Sequence, residues 1–391
     1  MRKISVWLAG ALVLTAIVVT FFTTMWLERR NKPAPQDKLL EAADLIQSSF
    51  IGGADREKMT DAAISAMVDS LGDQWSYYFT AEELAEYRNF ERNQYRGLGL
   101  VVKAGEEGGV VIHAVYRKSP AGEAGVLPGS RIVSVNGADT RDAALSEAVL
   151  LVKEAAAAGE VVLGLRTQAG EEQTFTLVPG DVDTDPVTWE LLPQGIGLIT
   201  ISNFEDRCGE EALNALSELL DRGAKGFIFD VRDNPGGQLT QLLTILDRLL
   251  PEGPLFVSKD TQGRTDSEYS DAECLEMPMA VLVNAGTYSA AEFFAAALRE
   301  YDWAAVIGEQ TTGKGYAQVT MMLSDGSALH LSTIEYFTPQ GNSLAGVGLA
   351  PDVEVEMSLE KRQDLAYGLL NHEEDPQLEA AIGTLMAEIN P

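Results

Sequence analysis

Two residues of this 391-residue chain have the types and surroundings for nucleophilic catalysis: Ser289 and Lys314. Ser289 follows an apolar run, Met279–Val283, and a short turn, "NAGTY"; an alanine-rich helical pattern starts right after it. A residue at such a strand-to-helix corner is lifted clear of the sheet. The N–H groups that follow, beginning with Ala290, are the unpaired donors of a helix start and can hold a developing oxyanion. The same stretch also reads as an ordinary N-cap, with Glu292 completing a capping box. Lys314 is pinched between Gly313 and Gly315. The chain has three histidines, His113, His330 and His372, and a Ser-Lys pair needs none of them. A lysine amine is a poor base at its ordinary pKa of about 10.4. Partial burial disfavours the ammonium and brings that value toward neutrality. Gln318, four residues on, can hold the amine in line through a neutral amide. Glu300, near the end of the Ser289 helix, is a second orienting group, and a poorer one, because a carboxylate raises the lysine pKa.

A second constellation is "DVRDNPGG", Asp230 to Gly237, at the end of a buried apolar run. Ligands gather at the carboxyl ends of parallel strands. Gly236 and Gly237 can turn N–H groups inward, and Gly237 supplies a second oxyanion donor. Asp230 and Arg232 read as a structural ion pair. The stretch from Gly308 to Lys314 has the glycine spacing of a phosphate-binding loop, but position 315 is glycine where a hydroxyl should bind Mg²⁺, and a strand pattern follows where a helix should open. No nucleotide, metal or other cofactor is therefore expected. Cys208 and Cys274 are far apart and belong to no metal-binding cluster. One disulfide and two unpaired thiols both remain open.

A net charge of −30 argues against a nucleic-acid footprint, which needs basic patches, and 46% apolar residues allow a sizeable core. Ile4 to Trp26 carries no charge and has the length of a membrane-spanning helix, with a bulky end where a cleavage site would need small residues. The expected fold class is α+β multidomain. Residues 1–30 are read as a transmembrane anchor and 31–95 as a helical N-terminal segment. Residues 96–181 hold short β-rich runs with two helices, residues 182–358 alternate strands and helices as βαβ units do, and residues 359–391 form a helical tail.

The strings "FIFDVRDNPGG", "VLVNAGTYSAAEFFAAAL", "VIGEQTTGKGYAQ" and "FTPQGNSLAGVGLAPDVEV" stand in the order found in carboxyl-terminal processing (tail-specific) proteases. "LGDQWSYYFTAEEL" and "GLGLVV…SPAGEAGVLPGSRIVSVNG" also match, and the latter resembles a PDZ domain. The resemblance runs from about residue 40 to residue 357. It implies a serine endopeptidase with a ClpP/crotonase-like core and a Ser-Lys dyad whose spacing Ser289 and Lys314 keep. Gln318 maps onto the glutamine that orients the lysine in some members, and Glu300 onto an acid given a role in others. The family usually reads S-A-S-E at the nucleophile; here the second serine is Ala291. The PDZ likeness implies that Leu98, Gly99 and Leu100 form the loop that holds a peptide's terminal carboxylate, and that Arg166 docks the PDZ-like domain on the core when substrate binds. The partners so implied are protein or peptide substrates with exposed apolar C-termini, the membrane through the N-terminal helix, and a second copy through the helical ends. The catalytic part is expected outside the cytoplasm. A catalytically silent PDZ scaffold is the rival reading.

Overall fold

The computed structural model describes residues 6–30, 35–105, 108–116, 118–366 and 368–390. The chain divides into two units, Met1–Tyr78 and Phe79–Pro391. The first unit holds three helices: α1 (Val6–Arg30), α2 (Pro35–Ser49) and α3 (Arg56–Asp69). Asp55 starts α3 by accepting the N–H groups of Glu57 and Lys58 at 3.0 and 3.3 Å. Tyr78 donates to Asp61 at 2.7 Å, which ties the end of the unit back to this helix. The membrane-spanning helix expected at the N-terminus is corrected here. Among the described residues no helix is long and apolar enough to cross a membrane.

The second unit opens with α4 (Ala81–Glu91), started by the capping box expected from sequence: Glu83 N–H bonds Thr80 at 3.2 Å and Thr80 N–H bonds Glu83 at 2.9 Å. A small β domain follows. Its main strands are β1 (Leu100–Ala104), β2 (Val110–Val115), β3 (Arg131–Val135), β4 (Val161–Arg166) and β5 (Glu172–Leu177), paired in that order and antiparallel throughout. Helix α5 (Leu145–Ala157) packs Ala148 and Ala155 against Ile112, Ile132, Leu163 and Leu165. Strand β1 lies at the edge of this sheet.

The larger domain is built on strands β6 (Val187–Leu191), β7 (Gly197–Ile201), β8 (Phe227–Asp230), β11 (Met279–Val283), β12 (Ala304–Gly308) and β15 (Val353–Glu354), side by side in that order. Only β6 runs antiparallel. Side chains alternate between the two faces. Ile199, Phe229, Val281 and Val306 face α6 (Cys208–Asp221), α7 (Leu239–Leu249) and α8 (Ala290–Glu300). Leu198, Ile228, Ala280, Leu282 and Ile307 face α9 (Pro376–Ile389) through Leu378, Ala381 and Leu385. The acidic tail thus supplies one of the two layers that cover the sheet. Asp375 caps α9 and pairs with Arg232 at 2.8 Å, while Arg232 also grips Asp230 at 2.6 Å, so this buried network locks the tail to the end of β8. A separate antiparallel sheet contains β9 (Gly253–Asp260), β10 (Thr265–Ser270), and the hairpin β13 (Tyr316–Met322) and β14 (Ala328–Phe337). Both cysteines are unpaired, with Cys208 buried.

Candidate active site

Ser289 stands at the corner between β11 and α8 with φ +59° and ψ −125°. A residue with a Cβ enters that part of the map only when its surroundings force it there. The forcing groups are identifiable. Asn284 accepts the N–H groups of Asp233 and Gly286, each at 2.9 Å. Thr287 donates to the Val231 carbonyl at 2.8 Å, and the Tyr288 N–H reaches the Asn234 carbonyl at 3.1 Å. The turn before the serine is thereby stitched to the "DVRDNPGG" turn after β8.

Those bonds bring the two glycine and helix elements together. A Cβ on Gly236 would lie 2.7 Å from the Ser289 Cβ and 2.8 Å from the Ala290 nitrogen, so no larger residue fits beside the serine. Gly236 spends its N–H on Asn234 at 2.8 Å and its carbonyl on the Phe204 N–H at 2.7 Å. Gly237, next in line, pairs with Phe204 in an isolated parallel bridge. Ala290 is the first residue of α8, so its N–H has no acceptor within the helix. Ala291 is fully buried and its N–H reaches the Tyr288 carbonyl at 3.3 Å. A hydroxyl at 291 is not needed to hold this corner.

Lys314 follows β12 on the loop that leads into β13. It is half-buried, and its ammonium lies 5.9 Å from the centre of the Tyr288 ring. A Cβ on Gly315 would fall 2.5 Å from the Ala345 nitrogen, which shows how closely the loop around 345 packs against the lysine segment. Two side chains join this segment to the serine. Glu292 is fully buried. One of its carboxylate oxygens accepts the N–H groups of Ser289 at 3.0 Å and Lys314 at 2.9 Å; the other accepts the Thr311 hydroxyl at 2.5 Å and the Gly313 N–H at 2.6 Å. Burial pushes this carboxyl's pKa up, and the four donors oppose the rise. Tyr336 on β14 is 4% exposed. Its hydroxyl donates to the Lys314 carbonyl and interacts with the Ser289 side chain, while burial drives its pKa up.

The other residues singled out from sequence are placed as follows. Gln318 lies on β13 beside a bulge, and its amide bonds the Tyr316 carbonyl and the Ser332 hydroxyl, both at 2.9 Å. Glu300 ends α8 and binds Thr338 and Asn342 at 2.7 Å and the Gln340 N–H at 2.9 Å, a clasp on the turn after β14. Arg166 ends β4 in an ion pair with Glu172 at 2.6 Å, both side chains about half exposed. Leu98 is buried and its carbonyl accepts the Ala121 N–H at 2.9 Å; the Gly99 carbonyl accepts the Tyr116 N–H at 3.0 Å; Leu100 opens edge strand β1. Sequence reasoning missed Tyr336 and saw Glu292 only as a cap. Glu292 was visible through its spacing from Ser289, whereas nothing local marks Tyr336, which arrives from a different sheet. Among the described residues no group of three or more His, Cys, Asp or Glu side chains could hold a metal ion.

With this geometry in hand, comparisons with known proteins add three matches along the chain. A profile of peptidase family S41 matches residues 195–355, a PDZ domain profile matches residues 89–166, and a profile of the activating protease CtpB N-terminal domain matches residues 23–83. The carboxy-terminal processing protease CtpA of Bacillus subtilis (strain 168) is 31% identical over 324 residues, covering 82% of this chain and 69% of that protein. A Staphylococcus aureus protein named "Probable CtpA-like serine protease" is 28% identical over 359 residues, covering 89% of this chain and 71% of its own length. Among solved structures, a Bacteroides fragilis protein named "Putative S41 protease" has the same fold, with a TM-score of 0.56 at 19% identity over 84% of this chain and 90% of that one.

Proposed function

The chain belongs to peptidase family S41, and on that premise we propose that Ser289 is its nucleophile and Lys314 its general base. The protein is a serine peptidase with a PDZ domain. Ser289 Oγ attacks the scissile carbonyl while the Lys314 amine takes its proton. The N–H groups of Gly237 and Ala290 face the developing oxyanion from the turn and the helix start. The lysine ammonium then gives its proton to the leaving amine, and a water repeats the sequence on the acyl-enzyme. The observation that carries this reading is Glu292, whose single carboxylate oxygen binds the backbone of both Ser289 and Lys314.

Edge strand β1 and the Leu98–Gly99–Leu100 loop offer a place for an extended peptide to add to the sheet with its carboxylate in the loop. The substrates in this reading are proteins with an exposed apolar C-terminus, cleaved outside the cytoplasm; the strongly acidic composition suits such a surrounding. Casein turnover by the purified chain, abolished in Ser289→Ala and in Lys314→Ala, tests the chemistry. Undiminished turnover in either variant would refute the dyad, and no turnover by the wild type would favour a PDZ scaffold. Comparing exported proteins from cells with wild-type and Ser289→Ala enzyme tests the location: new C-termini confined to cytoplasmic proteins would refute it.

A further inference from the structure

The Gly237 N–H, an oxyanion donor in this mechanism, belongs to a turn with little stiffness of its own. Gly236 and Gly237 stand at φ +91° and +147°, and two glycines in sequence have the widest choice of backbone conformations. A donor serves a developing oxyanion best where it is held in place beforehand. The hold comes from Phe204, which donates its N–H to the Gly236 carbonyl and accepts the Gln238 N–H, each at 2.7 Å. Among the described residues no peptide bond is cis. With the Gly236 carbonyl aimed at Phe204, the N–H of the same peptide plane, that of Gly237, points the opposite way. A Cβ on Gly237 would lie 2.5 Å from the Phe204 carbonyl oxygen, so the two segments run in contact. Phe204 thus fixes both the place and the direction of the Gly237 N–H.

Phe204 itself lies on the loop between β7 and α6, and a buried pair of asparagines steadies that loop. Asn203 is 8% exposed and Asn93 2%. The Asn203 Oδ1 accepts the Glu205 N–H at 2.9 Å, and its Nδ2 donates to the Asn93 Oδ1 at 2.7 Å. The Asn93 Nδ2 donates to the Asp206 carbonyl at 2.7 Å. The Asp206 carboxylate accepts the Gln238 amide at 2.8 Å, and the Asp206 N–H goes to the Glu91 carbonyl at 3.0 Å. The Asn93 amide therefore grips the loop on both sides of Phe204. Asn93 is anchored where the chain enters and leaves the β domain. Its N–H goes to the Phe90 carbonyl at 2.8 Å, and its carbonyl accepts the Thr184 N–H at 2.8 Å and the Thr184 hydroxyl at 3.1 Å. Directly beyond it, Gln94–Gly97 and Gly180–Asp183 pair as an antiparallel ribbon. Asn93 adopts φ +53°, a region that asparagine tolerates better than most residues with a Cβ.

We propose that Asn93 is a positioning residue for the hydrolytic reaction. Through Asn203 and Asp206 it braces Phe204, and through Phe204 it holds the Gly237 N–H in line with the oxyanion. The proposal rests on the assignment of Gly237 as an oxyanion donor. An amide suits the role because the place demands one acceptor and one donor: the Asn203 amide must be received, and the Asp206 carbonyl must be supplied. A carboxylate at 93 would have no hydrogen for Asp206, and an apolar residue would strand both buried partners. A loosened oxyanion donor weakens binding of the transition state more than binding of the ground state. Loss of the brace consequently lowers the rate and spares substrate affinity.

The test compares wild type, Asn93→Gly, Asn203→Ala and the double variant. Glycine keeps the positive φ at 93 without strain and removes only the amide. For a peptide whose cleavage requires Ser289, kcat should fall about 10-fold in each single variant with KM little changed. The double variant should lose clearly less than the product of the two, because the side chains share a bond. A peptide aldehyde, whose adduct with Ser289 puts its oxygen in the oxyanion place, should lose affinity by the same factor as kcat. The matching peptide alcohol, which forms no adduct, should bind as before. Unchanged kcat and aldehyde affinity in a folded variant overturn the proposal, whatever the loss in thermal stability, since a purely structural asparagine moves neither. Should Asn93→Gly not fold, Asn203→Asp carries the same test, because it keeps the acceptor for Glu205 and loses the donor to Asn93. A second readout needs no turnover: amide hydrogen exchange at Gly237 and Gln238 should quicken about 10-fold in Asn93→Gly, and unmoved exchange also overturns the proposal. A wild type that neither cleaves the peptide nor binds the aldehyde more tightly than the alcohol refutes the oxyanion assignment, while the exchange rates still decide whether Asn93 braces the turn.

Discussion

The nucleophile arm and the base arm of the site are held in different ways. Ser289 stands between a parallel strand and a helix whose residues from Ala290 to Leu298 are all buried; the turn before it is tied to the turn after β8 through Asn284, Thr287 and Asn234, and its own N–H goes to Glu292. Lys314 stands on a loop, and its backbone is held by two long-range side chains, Glu292 and Tyr336. The fold itself therefore places the nucleophile, whereas a few bridging side chains place the base. Damage to the bridges should dislodge the lysine and leave the serine corner in place.

The largest expected effect comes from removing either reacting group. Ser289→Ala and Lys314→Ala should each lower kcat by roughly 10⁴-fold or more, with thermal unfolding close to wild type. Next is Glu292→Ala. It strands the N–H groups of Ser289, Gly313 and Lys314 and the Thr311 hydroxyl in a buried site, and should cost roughly 3 kcal/mol or more of stability as well as most of the activity. If the base arm alone depends on this bridge, the Glu292→Gln crystal structure should show residues 311–315 displaced and Ser289 still at positive φ. A serine corner that collapses with the loop would break the distinction between the arms. Gly236→Ala probes the opposite arm: the added Cβ meets Ser289 and Ala290 at under 3 Å, and hydrolysis should fall about 100-fold with the lysine loop unmoved. Tyr336→Phe keeps the ring and removes the hydroxyl that meets the Lys314 carbonyl and the Ser289 side chain, so a loss of about 1 kcal/mol in stability and a modest drop in kcat are expected.

A pH effect belongs to the base arm as well. Burial first, and the Lys314 charge second, lower the His330 pKa from 6.5 to about 4. Its stabilising contribution is then complete above about pH 6.5 and is lost as pH falls through about 4. Urea unfolding of wild type and His330→Phe should diverge over that window, with the variant showing the weaker acid dependence. The smallest effect is expected from Arg166→Ala. Its ion pair with Glu172 is solvent-exposed and worth about 0–1 kcal/mol, and a large rise in KM on that substitution would instead show that Arg166 couples the PDZ domain to catalysis.

The same division explains how much was legible in the sequence. The strands ending at Val283 and Gly308, the helix after Ser289, and the Thr80 capping box declare themselves through local patterns of apolar residues, glycines and caps. The family resemblance supplied the PDZ reading and the order of the motifs. Tyr336 carries no local mark, because its role arises only when a hairpin from a distant segment meets the serine corner. The tail shows the same limit: "EEDPQLEAAIGTL" reads as an acidic helix, and its function as the second cover of the sheet depends on Asp375 meeting Arg232. The N-terminal apolar run gave the opposite error, since composition suggested a span that the described helix does not establish.

Active-site labelling reads the central claim most directly. A fluorophosphonate probe requires a serine whose proton is removed as the bond to phosphorus forms and fluoride leaves. Intact-protein and peptide mass spectrometry of the wild type should show one adduct, on Ser289, and labelling of Lys314→Ala should be slower by at least about 100-fold. An adduct on another residue, or equal labelling of Ser289 without the lysine, would contradict the assignment of nucleophile and base.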